Sequence, residues 1–178
     1  FFGKFKKFVI KFFIFSGEIH YFRIPRREWE ARIKKAKDAG LNTFSSYIPW
    51  IWHEPKEGQF DFTGKTRPER DLVGLIELLQ KHKLYFFCRP GPVTHGEITC
   101  HGQPVWLNRK YPEIRVKKRD GTDFSDDIVS HMNPTYLKMV EKWYSKVMPI
   151  IAKNQLTKGG NVIAVQLDNE ISMINWLS

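Results

Sequence analysis

Short stretches that are apolar at nearly every position alternate, along this chain, with segments whose apolar residues recur every three or four positions. Residues 8–16 (FVIKFFIFS) are the first apolar run, of strand length and closed by Ser16-Gly17. Residues 26–39 place Trp29, Ile33 and Ala36 at helical spacing, and Gly40 supplies a helix stop. LNTFSSYIPW predicts a second strand running into Pro49. Residues 70–82 predict a helix with Leu72, Leu75, Ile76 and Leu79 on one face. KLYFFCR is a third strand, halted by Pro90-Gly91-Pro92. Residues 91–132 show no period, and irregular stretches of that length are usually lids or binding loops. Residues 134–154 carry a stripe of Leu137, Val140, Trp143, Tyr144, Val147 and Ile151, opened by Asn133-Pro134. After Lys158-Gly159-Gly160 turns the chain, NVIAVQL is a fourth apolar strand.

Strands that are apolar on both faces, alternating with amphipathic helices, predict an α/β protein with a parallel sheet covered by helices. Two architectures compete, the (β/α)8 TIM barrel and the open doubly wound sheet. The first strand-to-helix connection holds no GxGxxG, which weakens the nucleotide-binding form of the second. Polar and aromatic residues gather just after each strand: Glu18-His20, Tyr47-Pro49-Trp50, Arg89-Pro90-Gly91 and Asn169-Glu170. A barrel places its active site there, at the C-terminal ends of its strands. Such a barrel needs eight strands and about 250 residues. Residues 1–178 are therefore expected to be the N-terminal half of a barrel, part of a longer protein. The unpaired strands at either side of a half barrel favour pairing with another chain.

Composition changes this picture little. With 42% apolar residues the chain can build a core, and it is too polar overall for a membrane protein. The net charge is 29 − 19 = +10, and residues 1–40 hold eleven Lys and Arg against four Asp and Glu. Without an Arg/Gly-rich segment or zinc-ligand spacing, that excess reads as a solvated basic surface, so neither nucleic acid nor membrane is an expected partner. Cys88 and Cys100 form no CxxC pattern; Cys88 lies in an apolar run as a small core residue. The opening FFGKFKKFVIKFFIF resembles a signal peptide, but Lys11 breaks it and no small-residue cleavage site follows. Scarce cysteine with plentiful Lys and Glu loosely fits a heat-stable intracellular enzyme.

The candidate chemistry sits at the strand ends. Partial burial at a strand end can hold a carboxyl such as Glu170 protonated, ready to protonate a leaving oxygen. Asn169 could donate to a neighbouring substrate hydroxyl. Read alone, the same pair is more readily a surface acid capping a following helix. Glu97 could accept hydrogen bonds from sugar hydroxyls, with Arg89 to orient a carboxylate, or be an exposed loop acid. Tyr47, Trp50, Trp52 and Trp106 offer flat faces for a sugar ring, or core packing. His20, His53, His95 and His101 lack metal-ligand spacing, so no metal is expected.

Three segments together resemble one family. SGEIHYFRIPRREWEARIKKAKDAGLNTFSSYIPWIWHEPKEGQFDFTG is similar to the opening of glycoside hydrolase family 35, best known for β-galactosidases. RPGP followed by Glu97 and GQPVWL resembles that family's third-strand motif, and NVIAVQLDNE its fourth. The resemblance runs from about residue 16 to 172, with the three motifs in the family's order. It implies a retaining hydrolase acting on a terminal β-linked sugar, using two carboxyl groups about 5 Å apart and no cofactor. By that resemblance Glu170 is the acid/base, Asn169 its sugar-contacting neighbour, and Tyr47 and Glu97 contact the non-reducing-end sugar. The family's nucleophile lies on a later strand, so this chain alone is expected to be inactive or a carbohydrate-binding remnant. Val93 stands where the family usually has Tyr, and Ile51 where it often has Asn. Asp168-Asn169-Glu170-Ile171-Ser172 replaces Glu-Asn-Glu-Tyr-Gly. These departures leave the acid/base in place and the sugar open between galactose and glucosamine. The expected partner is a β-galactoside or related oligosaccharide, with a second copy of the chain as candidate protein partner.

Overall fold

A computed structural model describes residues 13–170. Four parallel strands, β1 (Ser16–Glu18), β2 (Thr43–Tyr47), β3 (Tyr85–Gly91) and β4 (Val162–Leu167), form one sheet in the order β1-β2-β3-β4. The register sets Glu18 beside Ser45, Tyr47 beside Arg89 and Gly91 beside Leu167. Each strand therefore lies next to its successor. A doubly wound sheet reverses its order at a switch point, whereas a barrel adds strands in sequence. The observed order is that of a barrel segment.

The strand predicted over residues 8–16 lies largely outside the described residues. In its described part Phe13 is exposed, and pairing begins only at Ser16. The residues read as its closing turn are the strand itself. Gly17 makes this fit, because a Cβ there would come within 2.5 Å of the Leu41 side chain.

The helices are α1 (Trp29–Asp38), α2 (Trp50–His53), α3 (Leu72–Lys81), α4 (Val105–Lys110) and α5 (Pro134–Lys153). Asp71 caps α3 by accepting from the Gly74 amide at 2.9 Å, and the helix buries Leu72, Leu75, Ile76 and Leu79. Asn133 caps α5, accepting from the amides of Thr135 and Tyr136 at 2.9 and 3.2 Å. Its buried face is Tyr136, Met139, Val140, Trp143, Val147 and Ile151. Leu137, expected in that stripe, is 49% exposed, because the face turned to the sheet runs through Tyr136 instead.

The helix α2 was not legible in the sequence, being a single turn started by Pro49. It carries Trp50 into the core, where the indole stacks on Trp143 at 5.8 Å. The stretch 91–132 is also more ordered than its composition predicts. It contains α4, antiparallel bridges Arg115–Val129 and Lys117–Asp123, and buried Leu107, Ile114 and Val129. These apolar anchors seal it onto the core. Cys88 is fully buried on β3, and burial pushes its thiol up to about 12, as a core residue requires.

Candidate active site

All four strands run the same way, so their C-terminal ends form one edge. Glu18, Tyr47 and Gly91 end β1, β2 and β3, and Asp168, Asn169 and Glu170 follow β4. Arg89 ties this edge together. Its Nη2 donates to Asn169 Oδ1 at 2.8 Å and its Nε to Gln166 Oε1 at 3.0 Å. Its Nη1 pairs with the Glu18 carboxylate, and its guanidinium carbon lies 4.0 Å from the centre of the Tyr47 ring. One cation thus contacts groups from β1, β2 and β4 while standing on β3. The carboxylate that Arg89 orients, left unnamed by the sequence, is Glu18.

Asn169 is 7% exposed and its amide is fixed from every side. Oδ1 accepts from Arg89 and from Gln166 Nε2 at 3.0 Å, while Nδ2 donates to the Thr94 carbonyl at 3.2 Å. That network assigns oxygen and nitrogen of the side chain without ambiguity. Gln166, absent from the sequence reading, supports both Arg89 and Asn169. Its signal was weak: one polar residue within an apolar strand.

Tyr47 is 7% exposed, stacked on His20 with ring centres 5.2 Å apart. Burial raises its phenol, against the lowering effect of Arg89. Burial likewise lowers His20, with Glu18 acting the other way. Gly96 lies against the Tyr47 ring at φ +61, and a Cβ there would meet it at 3.0 Å. Glu97, the next residue, is exposed at the rim, and its charge acts on His20. Glu170 is exposed too, with its charge acting on Tyr47 and His95. The partial burial expected to hold Glu170 protonated is therefore not supplied by these four strands.

The backbone is strained at this edge. His95, Glu97, Cys100, His101, Asp168 and Glu170 all have φ between 50 and 60°, the left-handed region. Each such residue costs about 1–3 kcal/mol and persists only where the surroundings hold it. The helix α5 helps, since Trp143 Nε1 and the Tyr144 hydroxyl donate to the Pro90 and Gly91 carbonyls at 2.9 and 2.6 Å.

Three of the four aromatic candidates are elsewhere engaged. Trp50 is core, donating to the Glu54 carboxylate at 2.5 Å. Trp52 donates to the Glu69 carbonyl at 3.0 Å beneath Arg67 and Arg70. Trp106 donates to the Glu54 carbonyl at 3.0 Å. Tyr47 alone of the four belongs to the strand-end cluster. Among the described residues, no three His, Cys, Asp or Glu side chains are grouped to hold a metal ion. No described helix is long and apolar enough to cross a membrane.

Residues 9–176 match the family model of glycosyl hydrolases family 35. An exo-beta-D-glucosaminidase of Pyrococcus horikoshii is 47% identical over 163 residues, covering 89% of this chain and 21% of that protein. A beta-galactosidase of Mus musculus is 39% identical over 155 residues, covering 87% and 21%. The chain thus spans about a fifth of the length of these relatives. Among solved structures, a beta-galactosidase from Halorubrum lacusprofundi superposes with a TM-score of 0.63 over 88% of this chain and 21% of the other, at 24% identity. That likeness bears on the fold, in agreement with the sequential parallel sheet. By the extent of the family match and by these identities, the chain belongs to glycosyl hydrolases family 35.

Proposed function

We propose that this chain supplies the first four β/α units of a retaining exo-β-glycosidase barrel, which removes terminal β-D-galactose from the non-reducing end of β-galactosides. The supporting observation is the Arg89 network, which holds Asn169 beside Glu170 and next to Tyr47 at the strand ends. In this reading Glu170 protonates the glycosidic oxygen as the bond breaks. It then takes a proton from the water that releases the sugar from a second carboxylate. That second carboxylate is expected on a later strand, outside the residues described. Asn169 uses its fixed amide, and Tyr47 and Glu97 their polar tips, to hold the sugar. Two carboxyl groups suffice, so no cofactor is invoked.

A second reading is an exo-β-D-glucosaminidase. It is favoured by the higher identity to the Pyrococcus protein, 47% against 39% for the mouse β-galactosidase. The test is hydrolysis of aryl β-galactoside, β-glucosaminide and β-glucoside by the whole protein and by this chain. Preference for galactoside supports the first reading, preference for glucosaminide the second. Turnover by the whole protein and none by the chain is the expected pattern. Binding of these sugars without turnover by the whole protein would mark a carbohydrate-binding remnant and overturn both.

A further inference from the structure

Two side-chain amides at the strand-end edge take their orientation from a group that can only donate. Arg89 Nε lies 3.0 Å from Gln166 Oε1, and its Nη2 lies 2.8 Å from Asn169 Oδ1. A guanidinium has five N–H groups and no acceptor, so each amide turns its oxygen toward it. Glu18 holds the same guanidinium from the β1 side by pairing with Nη1. With its oxygen committed to Arg89, Gln166 donates from Nε2 to the Asp168 carbonyl at 3.1 Å and to Asn169 Oδ1 at 3.0 Å.

These bonds use up the acceptor capacity of Asn169. An amide oxygen has two lone pairs, and Oδ1 receives one donor from Arg89 and one from Gln166. Nδ2 carries two hydrogens, of which one goes to the Thr94 carbonyl at 3.2 Å. The other has no partner among the described residues. Turning the amide over would set Nδ2 against the Arg89 and Gln166 donors, and Oδ1 against the Thr94 carbonyl. Three bonds would be lost in a side chain only 7% exposed, where water cannot replace them. Asn169 therefore has one N–H, and no lone pair, to offer a bound molecule.

We propose that Gln166 is a positioning residue that, together with Arg89, makes Asn169 a donor-only contact, so that the site takes sugars with a hydroxyl beside the reacting carbon and excludes those with an ammonium there. The inference rests on the reading that Asn169 meets that substituent of a glycoside. A hydroxyl has lone pairs for the N–H; an ammonium has three N–H groups and none. Sites built to hydrogen-bond a substrate group reject a partner that cannot by about 10,000- to 100,000-fold. An unprotonated amine regains a lone pair, so the exclusion lifts as the substrate loses its proton. The charged and titratable groups at this edge are Glu18, Tyr47, Arg89, His95, Asp168 and Glu170. Attraction of an ammonium to their carboxylates acts the other way, favouring the amino sugar as pH falls, so the slope with pH separates the two effects.

The test compares kcat/KM of the whole protein on two pairs of aryl β-glycosides, glucoside with glucosaminide and galactoside with galactosaminide, which differ within each pair only at the carbon beside the reacting one. The amine titrates near the α-amino range, about 8. The ratio of hydroxyl to amino sugar is expected to be about 100 at about pH 6 and to fall about tenfold per pH unit up to that value. Gln166→Leu removes one donor from Oδ1 without changing charge, and should bring the ratio at about pH 6 below about ten. Equal losses on both sugars in that variant would mark a merely structural role and overturn the assignment of Gln166. Equal or faster hydrolysis of the amino sugar by the parent at neutral pH, or a ratio that does not change with pH, overturns the proposal even if the variant does not fold. Turnover with the wrong preference removes this inference alone, whereas no turnover of any of the four removes the glycosidase reading and this inference with it.

Discussion

Glu170 and Arg89 lie at the same strand-end edge, Arg89 bonded to the neighbouring Asn169, and substitutions at the two have different expected consequences. Glu170 is exposed and its replacement by Gln exchanges the ionisable carboxyl for an amide of the same shape, so folding should be unaffected. Hydrolysis by the whole protein should fall about 100- to 10,000-fold, the usual contribution of a general acid–base group. The loss should be smallest for aryl substrates with good leaving groups, which need little protonation; equal losses across leaving groups would count against the role. Arg89 holds the half-buried polar edge together. Arg89→Met leaves Glu18 without its cation and removes donors from Asn169 and Gln166. Charge-assisted hydrogen bonds of this kind contribute about 1.5–3 kcal/mol each, so urea unfolding should report a loss of about 3 kcal/mol. Glu18→Gln removes only the exposed partner of the ion pair and should cost less than about 1 kcal/mol.

The single-turn helix α2 and the long helix α5 meet through Trp50 and Trp143, and that contact sets the position of the β3 end. Trp143 is fully buried, stacks on Trp50 and donates to the Pro90 carbonyl. Trp143→Ala should destabilise by about 3–5 kcal/mol, measured by thermal or urea unfolding. The short helix α2 also holds a pH-sensitive residue. His53 is fully buried, accepts from the Tyr21 hydroxyl at Nε2 and donates from Nδ1 to the Asp61 carbonyl. Burial lowers it from 6.5 to about 4. The unfolded chain therefore binds a proton that the folded chain refuses between those values, and stability falls as pH falls through that window. The loss by pH 4 should be on the order of 3 kcal/mol. His53→Gln should flatten the difference between urea midpoints measured at pH 7 and pH 5, apart from the contributions of other groups.

Across the whole molecule, β1 and β4 each have one strand neighbour among the described residues. Beside β4 runs a groove of about 440 Å³ lined by Gln155, Leu156, Thr157, Val162, Ile163, Ala164 and Val165. Val165 and Leu167 are exposed on that strand. An open apolar edge is a template for further pairing, so the chain should self-associate with rising concentration. Val165→Lys should shift light scattering toward the monomer while leaving the circular dichroism unchanged; association as strong as in the parent would remove this edge as the cause.

The sequence by itself determined the strand–helix alternation and the family, and it points to the strand ends as the candidate site. Those follow from periodicity and local motifs, which depend on neighbours along the chain. The α3 face and the Asn133 cap were legible for the same reason. Periodicity did not separate Tyr47 from Trp50, Trp52 and Trp106, which only the family resemblance had done, since the four differ in what packs against them. Nor did it disclose the Arg89–Gln166–Asn169 network or the contacts among His95, His101 and Asp127, whose members lie on separate strands or at separated loop positions. Only the tertiary structure decided these, because hydrogen bonds between residues up to 80 positions apart exist once the parallel sheet has set its register.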